Sequence, residues 1–304
     1  MVKVESPAKG KAAIDVLRAD SLARIPWLVH GFSTRSGGSS RTYGGRALNL
    51  GFATQDSRAA VQMNRRAFAS VVTADRLTRS PARSGPKSIW PLITVRQIHS
   101  DLIHHISQVP REPLSGDGLV TNVRGILLGV LTADCLPVIL ADSKNRAVGV
   151  FHAGWRGTVK RIVEKGVGEM QRWFGTRPGD LRAAIGPGIR GCCYQVGPEV
   201  QTAFQSQFAY AEALFRETKA RDEIHEKYPL LFLTARAPGH SELPKQIFLD
   251  LARANRRQLL DAGVVAKNIA DLGFCTSCRV DAFFSHRKEK GMTGRMMAAV
   301  GIRN

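Results

Sequence analysis

The strongest constraint in this sequence is an apolar run over residues 126–141, broken only by Asp134 and Pro137. After Asp142-Ser143-Lys144-Asn145 a second apolar run follows over 148–151. A membrane-crossing helix needs about 20 continuous apolar residues, and this stretch has neither the length nor the continuity. Short apolar runs bounded by Gly, Pro and Asp are how strands covered on both faces look. The segment therefore predicts three buried strands, over 126–131, 137–140 and 148–151.

Helical periodicity surrounds this core. Ala60, Met63, Ala67, Phe68 and Val71 recur at three- and four-residue spacing behind Asp56, which predicts a capped helix. Val159, Ile162, Val163, Val167, Met170, Trp173 and Phe174 trace one face of a second helix from Thr158, with Gly175 to stop it. Pro198 opens another, and 250–261 carries a fourth before Gly263. Runs over 93–98 and 102–106 predict two strands, or one bent strand, with His99 at the break. Strands and helices alternate, so the fold class is α/β. The polar stretch 77–87 and the mixed-charge stretch 219–245 read as loop insertions in one domain over 25–304, preceded by an N-terminal extension over 1–24.

Charge bears on partners more than on fold. Forty-four Lys and Arg against 25 Asp and Glu give a formal charge of +19, and the first 100 residues hold 16 basic and 5 acidic side chains. Such an excess attracts phosphate-bearing partners. No basic helix with base-reading side chains and no aromatic-studded strand accompanies it, so nucleic acid is not the expected partner. No membrane segment is expected either. The N-terminal MVKVESPAKGKAA lacks the apolar core of a secretory signal, and five cysteines make an odd count. Reduced thiols and a cytoplasmic location are the expectation. Cys275 and Cys278 form a CxxC, but the adjacent Cys192 and Cys193 have the wrong spacing to complete a zinc knuckle, so packing is their expected role.

Three residues carry the chemistry. His99, Cys135 and His152 each lie at the end of a predicted strand, where the sheet fixes the backbone and the tip faces a crevice. If they converge, two uses fit: a cysteine nucleophile with a histidine base, or a zinc held by two imidazoles and a thiolate with a fourth position open. An open zinc site suits hydrolytic deamination and leaving-group activation. The residues alone leave both readings standing. Arg35, in a Ser-Thr-Arg-Ser-Gly-Gly loop, offers a guanidinium fork for phosphate. Asn49 is a candidate for a ribose hydroxyl or base edge, with turn chemistry as the equal alternative. Arg156 is a second basic candidate, but pairing with a carboxylate at a helix start accounts for it, and it is not counted in the site.

The motifs HGFSTRSGG (30–38), LNLG (48–51), QIH (97–99), DGLVT (117–121), ADCLPVIL (133–140) and FHAGWRGT (151–158) occur in that order. IGPGIRGCCYQVG (185–197), DLARANRRQL (250–259), CTSC (275–278), FFSHR (283–287) and TGRM (293–296) follow them. With these the chain resembles the YfiH or laccase-domain family from about residue 25 onward. The resemblance implies a single α/β/β/α layered domain with mixed sheets, similar to the catalytic domain of a deamidating toxin. It also implies a zinc at a His-Cys-His set, which falls on His99, Cys135 and His152. The implied activity is phosphorolysis of adenosine, inosine, guanosine or methylthioadenosine, with adenosine deamination, so nucleosides and phosphate are the partners expected. Other family descriptions imply editing of peptidoglycan precursors, with Cys135 as nucleophile, or polyphenol oxidation with copper, which a set of two histidines and a cysteine can accept in vitro. A multicopper oxidase needs several histidine clusters, whereas only His99 and His152 of eight histidines belong to the implied His-Cys-His set.

Overall fold

The computed structural model describes residues 14–52, 55–74, 90–219 and 245–303. The expected insertion at 77–87 and the interior of that at 219–245 lie outside the described residues. Two compact units are present, the smaller spanning Gly191–Asp250.

The larger unit begins with β1 (Val16–Leu17), α1 (Asp20–Ala23), β2 (Leu28–Ser33), β3 (Ser36–Ser40) and α2 (Arg58–Thr73). Next come β4 (Leu92–Thr94), β5 (Ile103–His105), β6 (Gly118–Thr121), β7 (Leu127–Thr132), β8 (Leu136–Asp142) and β9 (Ala147–Ala153). They are followed by α3 (Trp155–Val159), α4 (Ile162–Phe174) and β10 (Leu181–Ile185). The smaller unit holds β11 (Gln195–Val196), α5 (Pro198–Gln205), β12 (Phe215–Lys219) and β13 (Lys245–Leu249), an antiparallel sheet ordered β11-β13-β12 with its helix. The chain then returns to the larger unit with α6 (Leu251–Asp261), β14 (Ile269–Asp271) and β15 (Met296–Ile302).

Two mixed sheets form the larger unit, ordered β1-β2-β15-β7-β4 and β14-β10-β8-β9-β6-β5. Strand side chains alternate between faces, and both faces are used. Phe32, Leu128, Val130, Ala298 and Val300 of the first sheet share one buried cluster with Ile139, Ala141, Val148 and Val150 of the second. Their neighbours Val29, Leu127, Met297 and Ala299 take Phe68, Ala69 and Val72 of α2 on the other side. Against the second sheet, α4 sets Gly166 on Phe151, where a Cβ would come 2.5 Å from the ring. The layers are therefore α/β/β/α, as the motifs implied. Burial on both faces is why the runs 126–131, 137–141 and 148–151 hold no polar side chain, each large apolar one contributing roughly 1.5–3 kcal/mol.

Local departures from the sequence reading have physical causes. The helix expected from Thr158 is two helices, because Arg161 sits at φ 63° between α3 and α4. Ser57, not Asp56, caps α2, its Oγ accepting from the Ala60 N–H at 3.4 Å. Asp56 instead accepts from the Asn49 amide and the Ser40 hydroxyl. The strand expected over 93–98 stops at Thr94, since the chain turns there toward Asp117. Residues 14–24, read as part of an extension, supply β1 and α1 and place Leu17, Ala19 and Leu22 in the core. No helix among the described residues is long and apolar enough to cross a membrane.

Candidate metal centre

His99, Cys135 and His152 converge. Their ligand atoms all lie within 4.8 Å of one another, and the two imidazole rings stand 5.0 Å apart at 73°. Two are delivered by strand ends and the third by a turn. Cys135 immediately precedes β8, His152 is the penultimate residue of β9, and His99 lies in the turn between β4 and β5 at φ 56°. Left-handed backbone at a residue other than glycine persists only where its surroundings hold it. Here two side chains do so. Gln97 mimics a strand neighbour of β7, donating from Nε2 to the Leu131 carbonyl (2.8 Å) and accepting the Leu131 N–H (2.7 Å). Asp117 grips the turn itself.

Asp117 is fully buried and accepts five hydrogen bonds, from the N–H groups of Ile98, His99 and Ser100, from Ser100 Oγ and from His152 Nδ1 at 2.8 Å. With Nδ1 committed, His152 presents Nε2 to any ligand, the carboxylate–histidine pairing that orients metal-binding imidazoles. Burial opposes ionising Asp117, but the bonds from His152 and Ser100 outweigh it and lower its pKa to about 2. Burial likewise works against a charge on Cys135, yet His152 and then His99 bring the thiol down to about 6. His152 is raised in return, its own burial overcome by Cys135 and Asp117. The set thus favours a thiolate, the form that either ligates zinc or attacks a substrate.

Asp134 sets the position of the cysteine. At φ 95° it holds its own strained turn by accepting from Thr276 Oγ1 (2.7 Å), Ser285 Oγ (2.8 Å) and the Arg287 N–H (2.7 Å). Gly154 keeps the approach clear, because a Cβ there would stand 2.9 Å from Cys135 Sγ and 3.3 Å from His99 Cδ2. After it, α3 is anchored by α6: Asn255 Nδ2 donates to Thr158 Oγ1 (3.1 Å) and Gln258 Nε2 to the Thr158 carbonyl (2.7 Å). Gln97, Asp117, Asp134 and Gly154 all stand in quoted motifs, but the sequence reading gave none of them a role. The available signal was a lone carboxylate opening or closing a β-branched run in DGLVT and ADCLPVIL.

The two expected substrate-binding residues are placed differently. The guanidinium of Arg35 donates to the carbonyls of Val280 (2.5 Å), Phe283 (3.4 Å) and Tyr43 (3.2 Å), pairs with Glu289 at 3.2 Å and lies over Phe284. It ties its loop to the 280–289 segment. Asn49 is completely buried, and all four hydrogen-bonding positions of its amide are occupied by Gly51, Asp56 and the Arg295 N–H. No capacity remains for a ribose hydroxyl, so the turn chemistry is what the structure displays. Arg156 is exposed, with its guanidinium 4.4 Å over the Trp155 ring, and no carboxylate among the described residues pairs with it.

The model of the family described as multi-copper polyphenol oxidoreductase laccase matches residues 29–303. The chain belongs to that family. This laccase-family chain is 35% identical over 292 residues to a purine nucleoside phosphorylase of Deinococcus radiodurans, covering 95% of this chain and 93% of that one. It is 36% identical over 184 residues to the adenosine deaminase RL5 of an unknown prokaryotic organism, covering 60% and 61% respectively. A solved structure, the hypothetical protein YfiH of Bacillus licheniformis, superposes with a TM-score of 0.76 at 28% identity over 97% of this chain and 98% of that one. The resemblance read from the motifs is borne out, and with it the layered fold and membership of an enzyme family.

Proposed function

We propose that this laccase-family chain is a zinc-dependent purine nucleoside enzyme, cleaving nucleosides with phosphate and deaminating adenosine. The names of its relatives support nucleoside processing. The observation that carries the metal is the buried Asp117–His152 pair beside Cys135 and His99. Two imidazole nitrogens and one sulfur make a borderline-soft donor set of the kind zinc prefers, and the backbone at Gly154 packs directly against the sulfur. Copper also binds such a set, which accounts for a polyphenol oxidase activity without making it the native one.

In this reading His99, Cys135 and His152 hold the ion, and His152 does so through Nε2. When bound, zinc supplies Lewis acidity and activates water near neutral pH. Asp117 keeps His152 in one tautomer and fixes the His99 turn, so the donors are arranged before substrate arrives. In phosphorolysis a phosphate oxygen bonds to the ribose C1′ as the C1′–N9 bond breaks. The electron pair of that bond leaves with the purine, whose N9 takes the proton given up by phosphate. In deamination water adds at the purine carbon bearing the amine, and ammonia departs.

One observation favours a second reading. Cys135, His152 and Asp117 are lined up as nucleophile, base and orienting carboxylate, the arrangement of a cysteine amidase, which would suit editing of cell-wall precursors. Metal content separates the two. Purified protein should contain one zinc, lost in Cys135→Ala, and zinc should block alkylation of Cys135 by iodoacetamide. In zinc-depleted protein that alkylation should rise as pH passes about 6, where the thiolate forms. Chromatography of adenosine incubated with wild type and Cys135→Ala tests the activity. Adenine formed only with phosphate marks phosphorolysis, and inosine formed without it marks deamination. Identical traces from the two proteins, or full activity without zinc, would overturn the proposal.

A further inference from the structure

We propose that Arg156 is the residue that binds phosphate beside the metal set. The inference rests on the phosphorylase reading above and goes on to name the anion's partner. Phosphorolysis brings a doubly charged phosphate to the ribose carbon, and a cation must meet it there. Arg35 is committed to three carbonyls and Glu289. Arg156 is the opposite case: exposed, with no carboxylate partner among the described residues, and stacked 4.4 Å over Trp155. The indole face holds a planar cation without consuming its N–H groups, so the fork stays available for two phosphate oxygens.

Its position follows from the backbone around it. Gly154, two residues earlier, lies against Cys135 Sγ and His99, and a Cβ on Gly157 would stand 3.0 Å from the Ser100 carbonyl. The start of α3 therefore runs along the segment that carries His99. Arg156 and Lys160 are one helical turn apart, joined by the Lys160 N–H to the Arg156 carbonyl, and so share a side of the helix. The Lys160 ammonium reaches 3.8 Å from Asp101 Oδ1, while Lys165 pairs with Oδ2 of the same carboxylate. Arg156 is thus on the side of α3 that faces residues 99–101. Two lysines there share the one Asp101 carboxylate, which leaves Arg156 without a counter-charge on that side among the described residues.

The test uses zinc-loaded wild type, Arg156→Gln and Arg156→Lys, with zinc content measured for each. Initial rates of inosine cleavage are followed against inorganic phosphate. Binding of inorganic phosphate alone is followed in parallel by phosphorus NMR line broadening. The phosphate KM should rise at least tenfold in Arg156→Gln, with partial recovery in Arg156→Lys. The nucleoside KM should stay within threefold and zinc at one equivalent. A phosphate KM and phosphate binding that do not change in Arg156→Gln would overturn the assignment. If wild type binds phosphate through Arg156 yet cleaves no nucleoside, the phosphorylase reading fails and the anion site stands, so the two failures are distinguishable.

Discussion

At the scale of single residues, Asp117 decides more of the site than any ligand does. One carboxylate fixes the His152 tautomer and closes the 98–100 turn. Asp117→Asn keeps the shape but puts an NH2 where the protein presents donors, leaving buried N–H groups without an acceptor at about 1–3 kcal/mol. We expect zinc affinity to fall 10–100-fold, the usual effect of removing an orienting partner, as read by competition with a chromophoric chelator. The pH dependence has a fixed sign. A carboxyl depressed to about 2 contributes stability that is present above about pH 4 and lost as pH falls toward 2. Wild type should therefore lose stability across that window while Asp117→Asn shows a shallower loss, measured by urea unfolding at each pH. His99, Cys135 and His152 were legible in the sequence because each stood where an apolar run ended. Asp117 was not, since its partners lie up to 35 positions away and only the fold brings them together.

At the scale of elements, legibility followed burial. The strands within 126–151 were plain, being apolar on both faces, while α2 announced itself by periodicity, α5 by Pro198 at its start and α6 by Gly263 beyond its end. The break between α3 and α4 was silent, because Val159, Ile162 and Val163 continue the apolar stripe across it. So was β15, in which Met296–Ile302 mixes small and large side chains with no turn signal inside, although all seven residues are buried. Within α4, Gly166 sets two effects against each other. Alanine gains about 1 kcal/mol of helix propensity over glycine, but its Cβ would stand 2.5 Å from two carbons of the Phe151 ring. Phe151 is itself closed in by Gly149 and Gly118, at 2.8 Å from a Cβ on either. The ring has nowhere to move, so the clash wins. Gly166→Ala should destabilise by roughly 1–3 kcal/mol, seen as a lower denaturation midpoint at unchanged m-value.

At the scale of the whole molecule, ligand binding and stability are one equilibrium. A zinc held at a hundred times its Kd adds about 2.7 kcal/mol to the folded state, on the order of 4 °C in Tm for a chain of this size. Chelation should lower the calorimetric Tm by about that amount in wild type and leave Cys135→Ala unmoved. The formal charge of +19 acts over the same scale, drawing anions toward the molecule before any one residue holds them.

The tie between the centre of the sequence and its far end bears on how the protein is made. Asp134, beside the thiol, is held by Thr276, Ser285 and Arg287, and β15 lies in the middle of its sheet, hydrogen-bonded to β2 on one side and β7 on the other. During synthesis His99, Cys135 and His152 leave the ribosome long before those partners exist. The nascent chain must carry a reactive thiol on an unclosed sheet until residue 302 emerges. The centre can therefore close only once β15 has been made, long after the last of its three donors.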